Sequence, residues 1–514
     1  MDNIHYYVKS CEEALRDEKF RKECIHLYSG NYGVWGKYAH TQQVGRPVQL
    51  SDSLFQQWLS NQHVSMYYAK HLERIVGYAV VLQTDVEDYG IVTWVTQLVV
   101  HKNYRNQGIA KQILLSVWGF SDHHVWGIVT ANPYAIRALE KVTRRRVVPG
   151  RIMQEESVLR EFACKYISYI NRETEFEIDE QTSKVNTEFF VDHTDVPQQM
   201  HNVTNETVPW LLGEIDEGWE WFAFTFRDQK VMDLQTEEIE RFLETSDSIV
   251  KNAYARMKLQ SKEQKWAQHT IEEVDYILQH VDVPPDAKVY DLGCGQGRHS
   301  IELARRGFDV TGIDYVESHI VQAKENITDA ECKKIELLCS DCRNYTNETK
   351  ADLVVCLYDV VGSFADMKSN MDIIRSAYDL LKPGGRFVLS VMNYELTCNQ
   401  AKSSFVFKEE PNEIFSIKPS KTMETTGNVF DPEYYLVDRE EHVVYRKEQF
   451  SLGDGYLPSE LLVRDRRFTQ KEIEGLCLGA GFIDVKSKFI NAASWESQYE
   501  ATDSKAKEIL VICT

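Results

Sequence analysis

The chain has 514 residues, 43% hydrophobic and 27% charged, an ordinary globular composition long enough for about two to four domains with sizeable cores. Its 58 basic against 79 acidic side chains leave a net charge of −21, which repels a phosphate backbone and argues against a large nucleic-acid footprint. No run approaches the ~18 apolar residues of a membrane span, and Met1-Asp2-Asn3-Ile4-His5 lacks the basic and apolar stretches of a secretory signal, so a cytoplasmic chain with eleven reduced cysteines is expected.

Two long stretches alternate strand and helix, with a less regular one between them. In the first, Arg74–Leu82 and Gly90–Val100 are β-rich apolar runs about the acidic turn Asp85-Val86-Glu87-Asp88. The spacing of Ile109, Ile113, Leu114 and Val117 predicts a helix over 108–118. A strand Trp126–Thr130 and a helix Pro133–Val142 follow, and Arg144-Arg145-Arg146 reads as a solvated helix end. From about 150 to 235 the signal weakens, with strands expected at Val185–Val191 and Trp219–Phe226. Helical patterning then runs from Glu237 to Gln279, up to the break at Pro284-Pro285.

Beyond that break the order is regular: strand Lys288–Leu292, helix His299–Arg306, strand Asp309–Asp314, helix Ser318–Asn326, strands Ile335–Cys339 and Asp352–Cys356, helix Met371–Leu381, strand Arg386–Val391. Such alternation calls for a parallel sheet with right-handed crossovers. The stretch Ala401–Asp465, aromatic-rich with mixed β patterning, interrupts it before helix Gln470–Gly479 and strands Ile483–Phe489 and Glu508–Cys513. The division expected is 1–155, a middle segment 156–235 completing or extending that first domain, and 236–514 with an insertion at 401–465.

In the first stretch the strand ending at Val100 leads into His101-Lys102-Asn103-Tyr104 and then Arg105-Asn106-Gln107-Gly108-Ile109-Ala110. A basic residue, a glycine that frees backbone N–H groups and a helix start make an anion site. The arrangement resembles the GNAT superfamily of N-acetyltransferases over about residues 20–145, which implies a mixed sheet and an acetyl-CoA site. By that resemblance Leu98, Val99 and Val100 pair with pantetheine, the loop Arg105 to Ala110 takes the pyrophosphate, Asn132 contacts the cofactor, and the loop Tyr28–Gly36 receives the acceptor. The family's tyrosine acid falls on Leu139, and its strand glutamate on Thr96 or Gln97, so the catalytic groups stay open among Tyr134, His101, Asp85 and Glu87.

The sharpest signal is Asp291-Leu292-Gly293-Cys294-Gly295-Gln296-Gly297 between a strand and a helix, with Asp314 closing the next strand. Glycines let the turn approach a ligand. A dinucleotide fingerprint wants a third glycine where Arg298 stands, and Asp291 would repel a pyrophosphate but suits the ammonium of a methionine moiety. This half resembles the class I S-adenosylmethionine-dependent methyltransferases, which implies a Rossmann-like, seven-stranded, doubly wound sheet. It further implies a cofactor held by Asp291, Gly293, Cys294, Gly295, Arg298, Asp314 and Tyr315, with Asp341 and Cys342 at the adenine and Tyr358 near the methionine end; methyl transfer mostly needs positioning, and Tyr358, His299 and Tyr394 are the candidate catalytic groups. The same Cys339-Ser340-Asp341-Cys342 run accounts for the CxxC spacing without a metal, and none is expected.

The expectation is therefore a bifunctional enzyme using S-adenosylmethionine and acetyl-CoA on a small-molecule acceptor, an amine being favoured by the aromatic insertion through cation–π contact. The aromatics of 401–465 (Phe405, Phe407, Phe415, Phe430, Tyr434, Tyr435, Tyr445, Phe450, Tyr456) read either as a lid or as a core of their own. Two alternatives stand: a first domain that only binds acetyl-CoA and regulates, and a modifier of protein or transfer RNA, which the charge disfavours. The oligomeric state is not legible.

Overall fold

Strand pairing in the computed structural model sorts the chain into two units that divide near residue 252. It describes residues 4–40, 43–118, 123–205, 208–256, 265–327, 334–425, 427–450, 459–492 and 494–514.

The first unit is one mixed sheet of β1 (Ile4–Ser10), β2 (Val64–His71), β3 (Arg74–Val86), β4 (Gly90–Val100), β5 (Val125–Thr130), β6 (Phe176–Ile178), β7 (Ser183–Phe189) and β8 (Gly218–Phe226). Their spatial order is 1-2-3-4-5-8-7-6. Only β4 and β5 are parallel, because helix Ile109–Trp118 supplies the crossover that a parallel pair needs. Their pairing runs from Val92↔Val125 to Val95↔Ile128 and stops. Next to that point Thr96 is an extra residue opposite β3, since Val81 faces Val95 and Val80 faces Gln97. The Thr96 hydroxyl donates to the Val80 carbonyl at 3.2 Å. This bulge bends β4 away from β5, so residues 96–100 border a gap.

The strand expected at Trp219–Phe226 closes the other side of β5, antiparallel to it. Phe222 and Phe224 set their edges on Trp94 at 5.6 and 5.0 Å, and Gly127 is required because a Cβ there would meet the Phe224 ring at 2.0 Å. Two helices, Pro149–Gln154 and Glu156–Tyr166, fill the stretch where the sequence signal weakened. The basic run is not solvated as expected. Arg144 ends helix Pro133–Thr143 in the left-handed region (φ 56°), Arg146 pairs with the buried Glu140 at 2.9 Å, and Arg145 donates to the Arg227 carbonyl at 2.8 Å. The anticipated loop Tyr28–Gly36 also begins later, since helix Glu18–Asn31 runs through Tyr28.

The second unit contains β9 (Lys288–Leu292), β10 (Asp309–Asp314), β11 (Ile335–Cys339), β12 (Ala351–Cys356), β13 (Leu381–Met392), β14 (Ser404–Phe405), β15 (Pro419–Ser420), β16 (Tyr435–Asp438), β17 (Val443–Phe450), β18 (Ser459–Arg466), β19 (Val485–Asn491), β20 (Ser494–Tyr499) and β21 (Glu508–Cys513). Its main sheet has the order 11-10-9-12-13-21-19-20. That is the doubly wound sheet expected, extended at one edge by β20. The five strands β9 to β13 are parallel, and chain direction across the sheet reverses between β9 and β12. The crevice beyond the carboxyl ends of those two strands is where open α/β sheets bind ligands.

The insertion forms a second sheet in the order 14-16-17-15, with β18 also on β17. Phe405 and Phe407 pack on Tyr445 at 5.4 and 5.6 Å. Arg467, fully buried, lies 4.4 Å over Phe430. Arg446 pairs with Glu448 and Asp465 at 2.5 and 2.7 Å. Phe405, Phe407 and Tyr445 pack on one another within the insertion, whereas Tyr435 joins Tyr394; the Phe450 side chain and Tyr456 lie outside the described residues.

Candidate cofactor and acceptor sites

The β4–β5 gap holds a cavity of about 410 Å³. Leu98, Val99, Val100, Arg105, Asn106, Gly108, Ile109, Ala110, Asn132 and Tyr134 all line it. Asn106 (φ 59°) and Gly108 (φ 82°) turn the chain twice through the left-handed region, a sequence of conformations that groups backbone N–H groups toward an anion, at the start of the helix Ile109–Trp118. These residues fit a diphosphate at one end and an extended arm along β4. Arg105 donates to the carbonyls of Val100, at 3.3 Å, and Asn31, and Lys111 pairs with Glu238. The Asn132 side chain accepts from the Tyr134 N–H at 2.9 Å, capping the helix that follows.

Four expected residues stand apart. Gln107 donates to the Asn103 carbonyl at 2.9 Å and is not on the wall. His101 accepts from the Asn103 N–H at 3.2 Å and is not on it either, nor are Asp85 and Glu87. Sequence reasoning missed Glu220 and His193, both on the wall and both 8% exposed. The Glu220 carboxylate lies beside the Thr187 side chain and the Ala131 backbone, and burial pushes it up to about 7. Its one sequence trace is a lone carboxylate inside the apolar strand Trp219–Phe226.

In the second unit, Gly293, Gly295 and Gly297 carry φ of 72°, 54° and 79°. A Cβ on Gly293 would meet Val360 at 2.4 Å, while Gly295 faces open space. Asp291, 3% exposed, accepts from the Ser300 hydroxyl at 2.6 Å, and burial pushes its carboxyl up. Asp314 accepts from the N–H groups of Gly295 at 2.9 Å and Val316 at 2.8 Å. A carboxylate has about four lone-pair sites, so it keeps capacity for a diol. Cys294 and Cys342 are buried, the latter's thiol pushed up to about 12 by burial, whereas Tyr315 and Cys339 are exposed. Asp341 accepts from Arg343 Nε and Nη2 at 3.0 and 2.6 Å.

Tyr358 and Asp359 follow β12 in the left-handed region (φ 61° and 64°), a strain that concentrates at functional sites. The Tyr358 hydroxyl donates to Glu273, and the Arg298 guanidinium lies 4.1 Å over its ring. Arg298 and His299 also bond Glu273, at 2.9 and 2.7 Å. Sequence reasoning missed Glu273, which joins helix Thr270–His280 to this turn. Burial works to raise the Glu273 carboxyl, and the bonds from its neighbours outweigh it, leaving it below its ordinary value. Burial pushes His299 down, so at neutral pH the imidazole is neutral and donates from Nε2.

Glu508, at the start of β21, is 5% exposed with Oε2 unpartnered, and burial pushes it up to about 7. Its charge therefore costs folding free energy above pH 7 and nothing below about 4.5, where both states are protonated. Glu508→Gln is expected to stabilise the second unit by about 3 kcal/mol at pH 8.5 and by under about 1 kcal/mol at pH 5. Urea denaturation at the two pH values measures this, and an equal gain at both would refute it.

Comparison with known proteins follows the same division. Residues 289–385 match a methyltransferase domain, and residues 25–143 match the acetyltransferase (GNAT) family. A carboxy-S-adenosyl-L-methionine synthase of Shewanella loihica is 28% identical over 134 residues, 25% of this chain and 49% of that protein. A glycine/sarcosine N-methyltransferase of Aphanothece halophytica is 26% identical over 172 residues, 33% and 59% of the two chains. The solved CcbJ methyltransferase of Streptomyces caelestis is 15% identical with a TM-score of 0.38, covering 51% of this chain and 98% of that one. The chain spans about half the length of the first curated relatives it matches. Among the described residues no helix is long and apolar enough to cross a membrane.

Proposed function

We propose, from a chain that carries an acetyltransferase (GNAT) domain and a class I methyltransferase domain, an enzyme of two group transfers: methylation from S-adenosylmethionine in the second unit and acetylation from acetyl-CoA in the first, on small amine-bearing acceptors in the cytoplasm. The observation that carries the reading is the glycine turn at the reversal of strand order, with Asp291 and Asp314 at its ends.

The sulfonium donor supplies an activated methyl group, so the protein's work is mainly to position and to exclude water. Asp291 suits the methionine ammonium and Asp314 the ribose hydroxyls. The Cys342 amide and Asp341 suit the adenine, and Tyr358, held by Glu273, borders the methyl end. In the first unit the edge of residues 96–100 that faces away from β3 has no strand beside it and suits an amide-bearing arm, and the loop Arg105 to Ala110 offers N–H groups to a diphosphate.

Calorimetric titration of the full chain with S-adenosylmethionine and, separately, acetyl-CoA tests both halves. Two isotherms support the reading; binding of S-adenosylmethionine alone reduces the first unit to a scaffold. Gly108→Ala meets no atom within 4 Å, so only its backbone conformation is penalised, by about 1–2 kcal/mol. Acetyl-CoA is expected to bind roughly 5- to 30-fold more weakly to this variant, with the other isotherm unchanged.

A further inference from the structure

The wall of the first unit's cavity carries three polar groups at which nothing in the cofactor reading is aimed. The Gln97 Oε1 atom is buried and has no partner, and the same holds for His193 Nδ1. His193 is bonded to the backbone of Asp216; with its proton on Nε2, Nδ1 presents a lone pair. The third is the Glu220 carboxylate, beside Ala131 and Thr187. All three are acceptors, and all line one cavity.

The cations on that wall are already engaged. Arg105 holds the carbonyls of Asn31 and Val100, and Lys111 holds Glu238; both stand at the loop and helix that suit a diphosphate. The acceptor side is instead made by Tyr32, Phe189, Val191, Asp192 and Val196, apolar or acidic. A carboxylate placed there would meet Asp192 and Glu220 and no free cation.

We infer that this end of the cavity receives a primary amine with no carboxylate beside it, its N–H groups held by Gln97, His193 and Glu220, and that Glu220 is the catalytic residue that takes its proton on acetylation. The inference rests on the acetyl-transfer reading. In the step, Glu220 takes one proton from the bound ammonium, and the lone pair so freed attacks the thioester carbonyl carbon. The C–N bond forms as the C–S bond breaks, the leaving thiolate takes a proton from Tyr134, 44% exposed, and the second N–H proton, released from the nitrogen through solvent, restores the phenol. A carboxyl raised toward neutrality suits such proton transfer. The titratable groups that face Glu220 are the phenols of Tyr28, Tyr32 and Tyr169, each raised by burial first and by Glu220 next or later. His193, pushed down by burial, and Asp192 share the wall.

The test uses the full chain, acetyl-CoA and two matched pairs, phenethylamine with phenylalanine and isoamylamine with leucine, followed by thiol release and by calorimetric binding of each compound to the CoA-loaded chain. Expected are turnover and binding of the amines, with each amino acid at least about a hundredfold poorer. Glu220→Gln is expected to lower kcat/KM by about 10²–10⁴, to remove the rise in rate through pH 7, and to leave acetyl-CoA affinity unchanged, which also shows that the variant folds. Glu220→Asp is expected to restore part of the rate with the pH dependence. Amino acids equal to their amines, no binding of either amine while acetyl-CoA binds, or an unchanged pH profile in Glu220→Gln would overturn it. Failure of acetyl-CoA to bind the wild-type chain would instead bring down the acetyl-transfer reading itself.

Discussion

Gly293→Ala is expected to weaken S-adenosylmethionine binding by about two to three orders of magnitude while leaving acetyl-CoA binding intact. Two costs add. At φ 72° an alanine is strained by about 1–2 kcal/mol. Its Cβ would also stand 2.4 Å from Val360 Cγ2, and overpacking of this kind costs typically about 1–3 kcal/mol. Val360 belongs to the strained stretch after β12, so it cannot retreat without moving Tyr358 and Asp359. The clash is therefore relieved by the turn itself, whose N–H groups at 293 and 294 are bonded to the Ile313 carbonyl at 2.8 and 3.0 Å. Calorimetry on the variant measures the loss. Gly295→Ala is the control, because its Cβ meets nothing and only the conformational part applies. Equal affinity in wild type and Gly293→Ala would show that the ligand does not use this turn.

Glu273→Ala is expected to destabilise the second unit by about 2–3 kcal/mol, the cost of removing a buried carboxylate from three charge-assisted hydrogen bonds. Glu273 has 1% of its side chain exposed and binds Arg298, His299 and Tyr358 together. Its removal takes the carboxylate from Arg298, which also donates to Thr270 at 2.9 Å, and takes an acceptor from the Tyr358 hydroxyl. Urea denaturation of the full chain, followed at the second unit's transition, measures this. The same carboxylate gives a pH effect of defined sign. Its folded value lies below its unfolded one, so its contribution is present above pH 4.5 and is lost as pH falls through the folded value. Wild type and Glu273→Ala should therefore converge in acid. A loss under 1 kcal/mol at pH 7 would refute the role given to it.

The strands of the second unit were legible because a parallel sheet buries continuous apolar runs and turns polar only at its ends. Lys288–Leu292, Asp309–Asp314 and Ile335–Cys339 are placed to the residue, and so is Glu508–Cys513, which is antiparallel to both neighbours but equally buried. The glycine turn was legible for the same local reason. Glu220, His193 and Glu273 were not, because each reaches its partners across the fold: Glu273 meets Tyr358 from 85 residues away, and Glu220 reaches Ala131 from the neighbouring strand. The basic run at 144–146 misled because its partners, Glu140 and the Arg227 carbonyl, are supplied by tertiary contact. Helices Pro149–Gln154 and Glu156–Tyr166 are short and rest on β-strands for their stability, which periodicity alone does not reveal.

The departure of β4 from β5 after Val95 leaves the β5-facing peptide groups of residues 96–100 as the rungs of a ladder without an opposite rail. Deuterium uptake reads such groups one by one. In the free chain they should exchange much faster than those of Val92–Val95 in the same strand, although both halves remain bonded to β3. An occupant that slows them by lying alongside has to carry amides of its own, whereas one that merely fills the space would leave them fast. The exchange pattern of these β5-facing groups therefore separates a peptide-like arm from any other occupant before its chemistry is known.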